Sequence, residues 1–498
     1  MTKAPLAVEV RQNFYLDSVA LMRISREVSA MEGVVEAALM IGTEANKNML
    51  RAAGLFNSDG DQAGPNDLII SIKAEADGAV ADARRVAVDL LDKPRSAAGV
   101  GATWRPKSLD AAAKQLDGAN FALISVAGEF AVEEARKALD RGLHVMLFSD
   151  NISLADEIAL KGRGVEQGLL VMGPDCGTAL IGGIGLGFAN AVPVGNVGLV
   201  SASGTGLQEV SSLITRHGGG ISHGIGVGGR DLSRDVGAAM TVSAIAALSR
   251  DPATDSIIVI SKPPDDGDAA KAMLEAVETA GKPTIVCLIG AESMTMPANA
   301  RQVGTLFEAA FGAIQAGVED LDLTATYAVS VDAAAHRLIG LFCGGTLCTE
   351  AQVVAQMRGL SVTSNVPIRG STRWQQGVAG GHVLLDLGAD EFTVGRPHPM
   401  IEPGGRDDRL VDALADRTTA VVLVDIVLGY GAHADPARQF VDAIAGIGSR
   451  PPIVASVCGT DGDPQNFGEQ VATLSGDGII VARSNAEAAA RAIDLLHQ

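Results

Sequence analysis

The sequence predicts an α/β protein with doubly wound parallel sheets and a small α+β unit at its start. Apolar runs typical of buried strands alternate with stretches of helical spacing from about residue 108 onwards. A chain of 498 residues is too long for one hydrophobic core and indicates several domains. With 59 glycines and only 3% aromatic residues, the cores must be built from small aliphatic side chains joined by many tight turns.

The first unit is expected over residues 1–93. Strand patterns occur in LAVEV, VVEAALMIG and DLIISIKAEA, while DSVALMRISREVSAM and AVADARRVAVDLLD have helical spacing. This order of strands and helices predicts a ferredoxin-like unit. The stretch 93–108, KPRSAAGVGATWRPKS, is rich in small residues and is predicted to be a linker.

Three further units follow the linker. Each is predicted from alternating strands and helices, which favour parallel sheets. The first contains FALISVA and HVMLFSD and is interpreted as half of a Rossmann-like sheet. The other two, which begin at NVGLVSASGTG and RLIGLFCGGTLCT, share one order of elements. The expected bounds of the three units are 108–192, 193–325 and 333–498.

The charge of the chain excludes some partners. A net charge of −20 and a sequence pI near 4.8 repel nucleic acid and anionic membranes. Five scattered cysteines without CxxC or zinc spacing predict a reduced, cytoplasmic protein with no metal site. We find neither a signal peptide nor a membrane span. An anionic ligand therefore needs a local site, for which backbone N–H groups are the obvious donors.

The segment SASGTG forms the first candidate site. It lies between a hydrophobic strand and the helix LQEVSSLI. A helix N-terminus offers unpaired N–H donors and a partial positive charge, and glycine lets an anion approach the backbone. Ser203, Gly204, Thr205 and Gly206 are therefore candidate phosphate-binding residues. The alternative is a plain N-cap in a tight turn.

The segment GGTLCT repeats this design after the strand RLIGLFC. Gly344, Gly345 and Thr346 stand at the start of the next helix and are candidate phosphate-binding residues as well. Two such turns, each opening the first helix of an α/β unit, predict a shared anion. The alternative is that parallel sheets use glycine turns for purely structural reasons.

Two loops supply candidate substrate-binding residues. Gly173, Pro174, Asp175 and Cys176 follow a strand at its carboxyl end, where open sheets bind ligands. A buried small hydrophobe is the commoner role of a lone cysteine, and no visible partner lowers the pKa of Cys176.

In the second loop, GRPHPMIEP, His398 lies near Arg396 and Arg406, which could pair with an anionic substrate. A rigid surface loop is the alternative.

Taken together, these segments resemble the NDP-forming acyl-CoA synthetases, and in particular the FdrA family. FALISVAGEF, GLHVMLFSDNISLAD and GLLVMGPDCGTAL are similar to the CoA-binding domain of the succinyl-CoA synthetase α subunit. NVGLVSASGTGLQEV resembles that subunit's ligase domain, and RLIGLFCGGTLCTEA resembles the carboxy-terminal domain of the β subunit. The resemblance implies a Rossmann-like CoA-binding domain and two flavodoxin-like ligase domains. It also implies that the two helix starts match those that hold a phosphorylated histidine in the synthetases.

The sequence departs from this family pattern in four places. The loop AESMTMPANA has no histidine where the synthetases carry theirs, and Lys262, Pro263 and Pro264 replace an expected acidic residue. No ATP-grasp domain is found, and the glycine-rich first turn of a full CoA site is missing before FALIS. A phosphohistidine relay is therefore not expected.

The resemblance implies three functional hypotheses. The first is a subunit of a multi-subunit, oligomeric FdrA-type complex of purine and allantoin catabolism, which transfers a carbamoyl or acyl group between phosphate and an oxamate-type acceptor. Its ligands would be phosphate or carbamoyl phosphate, with CoA as a further candidate. The second is an acyl-CoA ligase whose partner brings the nucleotide. The third is a non-catalytic assembly or regulatory subunit.

Overall fold

The computed structural model describes residues 4–14, 16, 18–92, 106, 108–265, 267–314, 335–377, 380–393, 398–448 and 450–497. The chain forms two compact units. Residues 1–106 and 390–398 make up the N-terminal unit, and residues 107–389 and 399–498 make up the second.

The N-terminal unit contains an antiparallel sheet in the order β1-β3-β2. The central strand alternates: Leu68, Ile70 and Ile72 pack with helices α1 and α3, while Ile69 packs with Leu50 and Leu55 on the other face. The α+β order predicted from the sequence is confirmed. Its elements are β1 (Leu6–Arg11), α1 (Ser18–Ser29), β2 (Val34–Ile41), α2 (Glu44–Ala52), a 3₁₀ turn (Ser58–Gly60), β3 (Leu68–Ala74) and α3 (Asp77–Asp92).

The second unit begins with a short parallel sheet in the order β4-β5-β6. Its strands are almost wholly apolar; β5 and β6 are largely buried, whereas Leu123 on the edge strand β4 is 46% exposed. The elements are α4 (Leu109–Gln115), β4 (Phe121–Ile124), α5 (Gly128–Leu139), β5 (His144–Leu147), α6 (Leu154–Gln167) and β6 (Val171–Met172).

A seven-stranded sheet follows in the order β13-β12-β11-β9-β10-β7-β8. The hairpin β7–β8 pairs antiparallel with β10, so this sheet starts before the boundary predicted at residue 192. The elements are β7 (Thr178–Ile181), β8 (Ile184–Gly187), β9 (Val194–Ser201), α7 (Gly204–Arg216), β10 (Ile221–Gly226), α8 (Ala239–Arg250), β11 (Ser256–Ser261), α9 (Gly267–Ala280), β12 (Thr284–Leu288), β13 (Ala300–Val303) and α10 (Leu306–Ala313).

A second seven-stranded sheet is parallel throughout, in the order β16-β15-β17-β14-β18-β19-β20. Helix α12 falls in the segment grouped with the N-terminal unit. The elements are β14 (Arg337–Phe342), α11 (Gly345–Met357), β15 (Val362–Ser364), β16 (Thr372–Arg373), β17 (His382–Asp386), α12 (Asp390–Thr393), α13 (Gly404–Ala415), β18 (Thr419–Val427), α14 (Pro436–Ile444), β19 (Ile453–Cys458), α15 (Phe467–Gly476), β20 (Ile480–Ala482) and α16 (Asn485–Leu495).

The two seven-stranded sheets share one hydrophobic core. Helices α7 and α10 of the first sheet pack on α11 and α16 of the second, and all four helices contribute buried side chains to a single cluster. Val210, Phe307, Leu347 and Ile493 are representative members, one from each helix. The regions predicted as separate domains, 193–325 and 333–498, are therefore joined by a continuous apolar interior.

A buried ion network joins helix α6 to the loop after β10. Lys161 Nζ donates to Glu157 Oε1 at 2.8 Å, to Asp231 Oδ1 at 2.8 Å and to the Val227 carbonyl at 2.9 Å. Asp231 also accepts from the Thr241 backbone N–H at 2.7 Å, near the start of α8. All three charged side chains are almost fully buried, so the network fixes the loop 227–231.

We predict that Lys161→Met lowers the free energy of unfolding by about 3–5 kcal/mol, because it leaves the buried carboxylate of Asp231 without a cation and that of Glu157 with Arg230 alone. Urea unfolding followed by circular dichroism measures the change. Lys271→Met is the matched control, since Lys271 is exposed on α9 and should shift stability by no more than about 0.5 kcal/mol. Equal stability of the two variants contradicts the assignment.

Candidate functional site

The two helix starts predicted to share an anion meet in the structure. Ser203 Oγ and Thr346 Oγ1, 143 residues apart in the chain, lie 2.5 Å apart. A β-carbon at Gly344 would lie 3.0 Å from Thr205 Cγ2, which places the glycine turn of α11 against the start of α7. The structure thus brings the two glycine turns together.

The start of α7 is fixed by short-range hydrogen bonds. Ser203 is the N-cap, in extended conformation, and its Oγ accepts from the Gly206 N–H at 2.8 Å. Ser201 Oγ donates to the Ser203 carbonyl at 2.7 Å and accepts from the Ser203 N–H at 3.1 Å. This preorganised turn directs the Ser203 hydroxyl toward Thr346.

The buried carboxylate of Asp425 fixes the start of α11. Gly344 is the N-cap and offers no side chain to the helix, so the first-turn N–H groups have no side-chain cap. Asp425, at the core of β18, accepts from the N–H groups of Cys343 and Gly344 at 2.7 and 2.8 Å. A β-carbon at Gly345 would lie 2.6 Å from Asp386 Oδ2, so any side chain here would force the Asp386 carboxylate to move.

Arg406 supports Asp425, and its burial gives no support to the substrate contact expected from the sequence. Its Nη1 donates to the Asp425 carbonyl at 2.7 Å, and only 2% of the residue is exposed. Burial raises the pKa of Asp425, and the nearby guanidinium opposes that shift. Arg406 is therefore a positioning residue for the α11 turn.

A small pocket opens at the paired helix starts. Its cavity volume is about 20 Å³. Two carboxyl ends of parallel strands, β9 and β11, reach it, in keeping with where open sheets bind ligands. The lining residues are Ala202, Ser203, Gly229, Ser261, Lys262, Ile289, Thr346 and Thr349.

The first predicted substrate loop does not line this pocket. Its residues are Gly173, Pro174, Asp175 and Cys176. A β-carbon at Gly228, where φ is +86°, would lie 2.9–3.0 Å from backbone atoms of Gly173, so the two loops pack closely. Gly173 and Pro174 are buried, whereas Asp175 is exposed. Gly228 precedes Gly229, which lines the pocket, so this loop packs directly beside the pocket wall.

Cys176 is buried, as in the structural role that the sequence analysis left open. Its thiol lies 3.6 Å from the carbonyl oxygens of Thr178 and Gly226, and 3% of the residue is exposed. Burial raises the pKa of the Cys176 thiol to about 12. A thiol of this kind packs as a small hydrophobe, and its predicted contact with substrate has no support from the geometry.

Of the second predicted substrate loop, the described residue His398 does not line this pocket. Arg396 lies outside the described residues. His398 belongs to the segment grouped with the N-terminal unit, and burial lowers the pKa of its imidazole to about 4.

Two buried glutamates bond α7 and α11 to helices of the opposite seven-stranded sheet. Glu350 on α11 accepts from the Leu306 N–H at 2.7 Å, at the start of α10. Glu209 on α7 accepts from the Asn485 N–H at 3.1 Å, at the start of α16. Asn485 Nδ2 closes the cluster by donating to Glu350 Oε2 at 2.7 Å. Each helix thus caps a helix of the opposite sheet, where a carboxylate is favoured by the helix dipole.

Sequence reasoning missed both glutamates, although a signal was present. GTGLQE and GTLCTE place glutamate at the sixth residue of each helix, in a position otherwise expected to be apolar. A charged residue on the buried stripe of two equivalent helices indicates a paired function. The same pattern gives no information on which groups the carboxylates contact.

A larger cavity lies elsewhere, beside the β7–β8 hairpin. Its cavity volume is about 530 Å³, and Asn190, Arg216, Tyr430 and Asp461 are among its lining residues. None of the predicted site residues that the structure describes lines it. We therefore centre the candidate site on the smaller pocket, where the two helix starts converge.

Comparison with protein-family models gives two matches. Residues 341–495 match the CoA-ligase model, which confirms the synthetase-like fold of that region. Residues 1–106 match the model described as AllF, heavy metal-associated domain. That stretch contains neither cysteine nor histidine, so the thiolate and imidazole donors that heavy metals prefer are missing from it.

Several known proteins are similar to the chain. YahF of Escherichia coli K12, described as uncharacterised, is 40% identical over 497 residues, covering 96% of each chain. The succinate–CoA ligase α subunit 2 of Archaeoglobus fulgidus is 26% identical over 43% of this chain and 74% of its own. The solved dinucleotide forming acetyl-coenzyme A synthetase 1 of Ca. Korarchaeum cryptofilum is 18% identical, with 76% of this chain and 82% of that chain covered and a TM-score of 0.30.

The described helices give no candidate for a membrane-spanning segment. Across the part of the chain that the structure describes, no helix has both the length and the apolar character needed to cross a bilayer.

The buried cap predicts a specific pH dependence of stability. Burial raises the pKa of Glu350 from 4.5 to about 7. A raised folded-state pKa means that Glu350 contributes most to stability below pH 4.5 and that this contribution is lost as pH rises through 7. In Glu350→Gln this loss is absent. The stability of the native chain relative to the variant should therefore fall by about 3 kcal/mol between pH 4.5 and 8.

Urea unfolding of both proteins at several pH values between 4.5 and 8 measures this difference. Glu275→Gln, an exposed change on α9, is the control and should follow the native chain at every pH. Parallel pH profiles for the native chain and Glu350→Gln contradict the prediction.

Proposed function

Because the chain belongs to the same family as YahF of Escherichia coli and contains a CoA-ligase domain, we propose that it is a subunit of a complex that transfers an acyl group to or from phosphate. The transferred group in this proposal is carbamoyl, with an oxamate-type acceptor. Phosphate binds at the paired starts of α7 and α11. Relatives named as ligase α subunits support the need for partner chains.

The observation that carries the proposal is the contact between the two helix starts. Ser203 Oγ and Thr346 Oγ1 are 2.5 Å apart at the mouth of one pocket, so both helix dipoles point their positive ends at the same small volume. Backbone N–H groups of two first turns can then bind one oxyanion. In a chain of net charge −20, this is a local region that favours an anion.

The loop after β12 supports free phosphate in preference to a phosphoryl carrier. Ile289, one residue beyond β12, lines the pocket, so this loop reaches the helix starts. Residues 289–299 contain no histidine. The side chain that would accept a phosphoryl group is thus missing at the place where the family resemblance expects it.

The chemistry follows from holding phosphate in place. A phosphate oxygen attacks the carbonyl carbon of the carbamoyl donor, the carbon–nitrogen bond breaks, and the nitrogen leaves with a proton to give carbamoyl phosphate. The two helix starts position the nucleophile and offset its charge. Neither role requires a histidine.

An acyl-CoA ligase is the second candidate, and the comparisons favour it at the level of the family. The match to the CoA-ligase model and the similarity to succinate–CoA ligase α subunits support it. A partner would then supply the nucleotide, and another residue would replace the histidine. ATP-dependent formation of acyl-CoA, with acid-labile phosphate on this chain, would identify it.

We predict that Gly204→Val and Gly345→Val each reduce carbamoyl phosphate formation about 100-fold or more, because a side chain there blocks the backbone donors. A β-carbon would meet Thr178 Oγ1 at 3.1 Å in the first variant and Asp386 Oδ2 at 2.6 Å in the second. The purified chain with its partner subunits, supplied with phosphate and a carbamoyl donor, is the assay. Gly267→Val at the start of α9 is the control, since its β-carbon meets nothing within 4 Å.

Circular dichroism and thermal unfolding establish that each variant is folded. Thr346→Val provides a milder test, because it removes one hydroxyl while leaving the glycine turns intact. Full activity of Gly204→Val, Gly345→Val and Thr346→Val overturns the proposal.

A further inference from the structure

The end of β11 forms a third wall of the pocket. Ser261 is its last residue, and Lys262 follows immediately. Both line the pocket together with Ser203 and Thr346. Neither residue is accounted for by the two helix starts.

Ser261 carries a hydroxyl that none of the described residues uses. Only 5% of the residue is exposed, yet Ser261 Oγ has no hydrogen-bond partner among the described residues. A serine so deeply buried normally pairs its hydroxyl within the protein, whereas Ser261 lines the pocket with its hydroxyl unused by the described residues. A hydroxyl left over on the wall of a pocket indicates a ligand atom as its partner.

Lys262 is an exposed cation that forms no ion pair with the described residues. The 59 acidic residues of the chain outnumber its 39 Lys and Arg residues, so carboxylates are plentiful and a lysine without an ion pair is unexpected. Pro263 follows it and favours an extended backbone at Lys262. The ammonium is therefore available to a ligand of the pocket.

We propose that Ser261 and Lys262 make this pocket selective for a free tetrahedral dianion of the phosphate class. This inference rests on the proposed function and names the residues that determine its ligand. Lys262 supplies the full positive charge that the helix dipoles lack, and Ser261 Oγ supplies a hydrogen bond. Ser203 Oγ already accepts from Gly206 and contacts Thr346, so Ser261 is the uncommitted hydroxyl of the set.

A lysine at this position suits a free anion better than a histidine-bound phosphoryl group. A histidine that carries a group on one ring nitrogen is oriented by an acceptor for its other N–H. Lysine has three donors and no acceptor, so Lys262 cannot serve in that way. It can, however, donate to phosphate as a point charge.

Calorimetric titration of the full-length chain with inorganic phosphate tests the inference. Lys262→Gln removes the charge but keeps much of the length, and we expect phosphate binding about 10- to 100-fold weaker. Ser261→Ala should weaken it about 3- to 10-fold, by loss of one hydrogen bond. Lys262→Arg keeps the charge and should retain binding within about 5-fold. Lys271→Gln is the control, because it makes the same charge change at an exposed site on α9.

The outcomes separate this inference from the proposed function. If the native chain binds phosphate, and Gly345→Val abolishes binding while Lys262→Gln and Ser261→Ala do not weaken it, the helix starts act alone and the inference is wrong. If the native chain does not bind phosphate, both the inference and the proposed function fail. If Lys271→Gln weakens binding as much as Lys262→Gln, the effect is one of net charge, which also contradicts the inference.

Discussion

The reciprocal carboxylate caps are the constraint on which the site depends. Glu350 caps α10 and Glu209 caps α16, so each helix that opens the pocket is bonded to the domain opposite its own. Buried carboxylates tolerate little movement, because losing a partner leaves a desolvated charge. The hydroxyls of Ser203 and Thr346 consequently meet at a fixed distance, and the turns need no ligand to bring them together.

The same arrangement explains how a strongly acidic protein can offer a place to an anion. Buried carboxylates close to the helix starts are occupied by donors: Asp425 by the N–H groups before α11, Glu209 and Glu350 by helix caps. Because these carboxylates are bonded to N–H groups, they hold the positive ends of α7 and α11 toward the pocket. The net charge acts at long range, whereas N–H groups within hydrogen-bond distance decide local binding.

Much of this could be predicted from the sequence, and the remainder could not, for physical reasons. Turn chemistry identified Ser203 and Thr346 individually, because glycine and hydroxyl residues before a helix have a local meaning. Burial of Arg406 and Cys176, and the pairing of the β7–β8 hairpin with β10, depend on contacts between distant segments that local patterns do not encode. Lys262 was noticed only as a departure from a family pattern, and its place in the pocket needed the fold.

The shared core of the two seven-stranded sheets has a consequence for assembly. In an arrangement of separate chains, the concentration of each partner and their affinity would set the fraction of complete pockets. Here one polypeptide carries both helix starts and buries them in a continuous interior, so each molecule holds a complete pair at any dilution. Association with other subunits is therefore not needed to bring the two helix starts together, and its strength can change in evolution without altering the pocket.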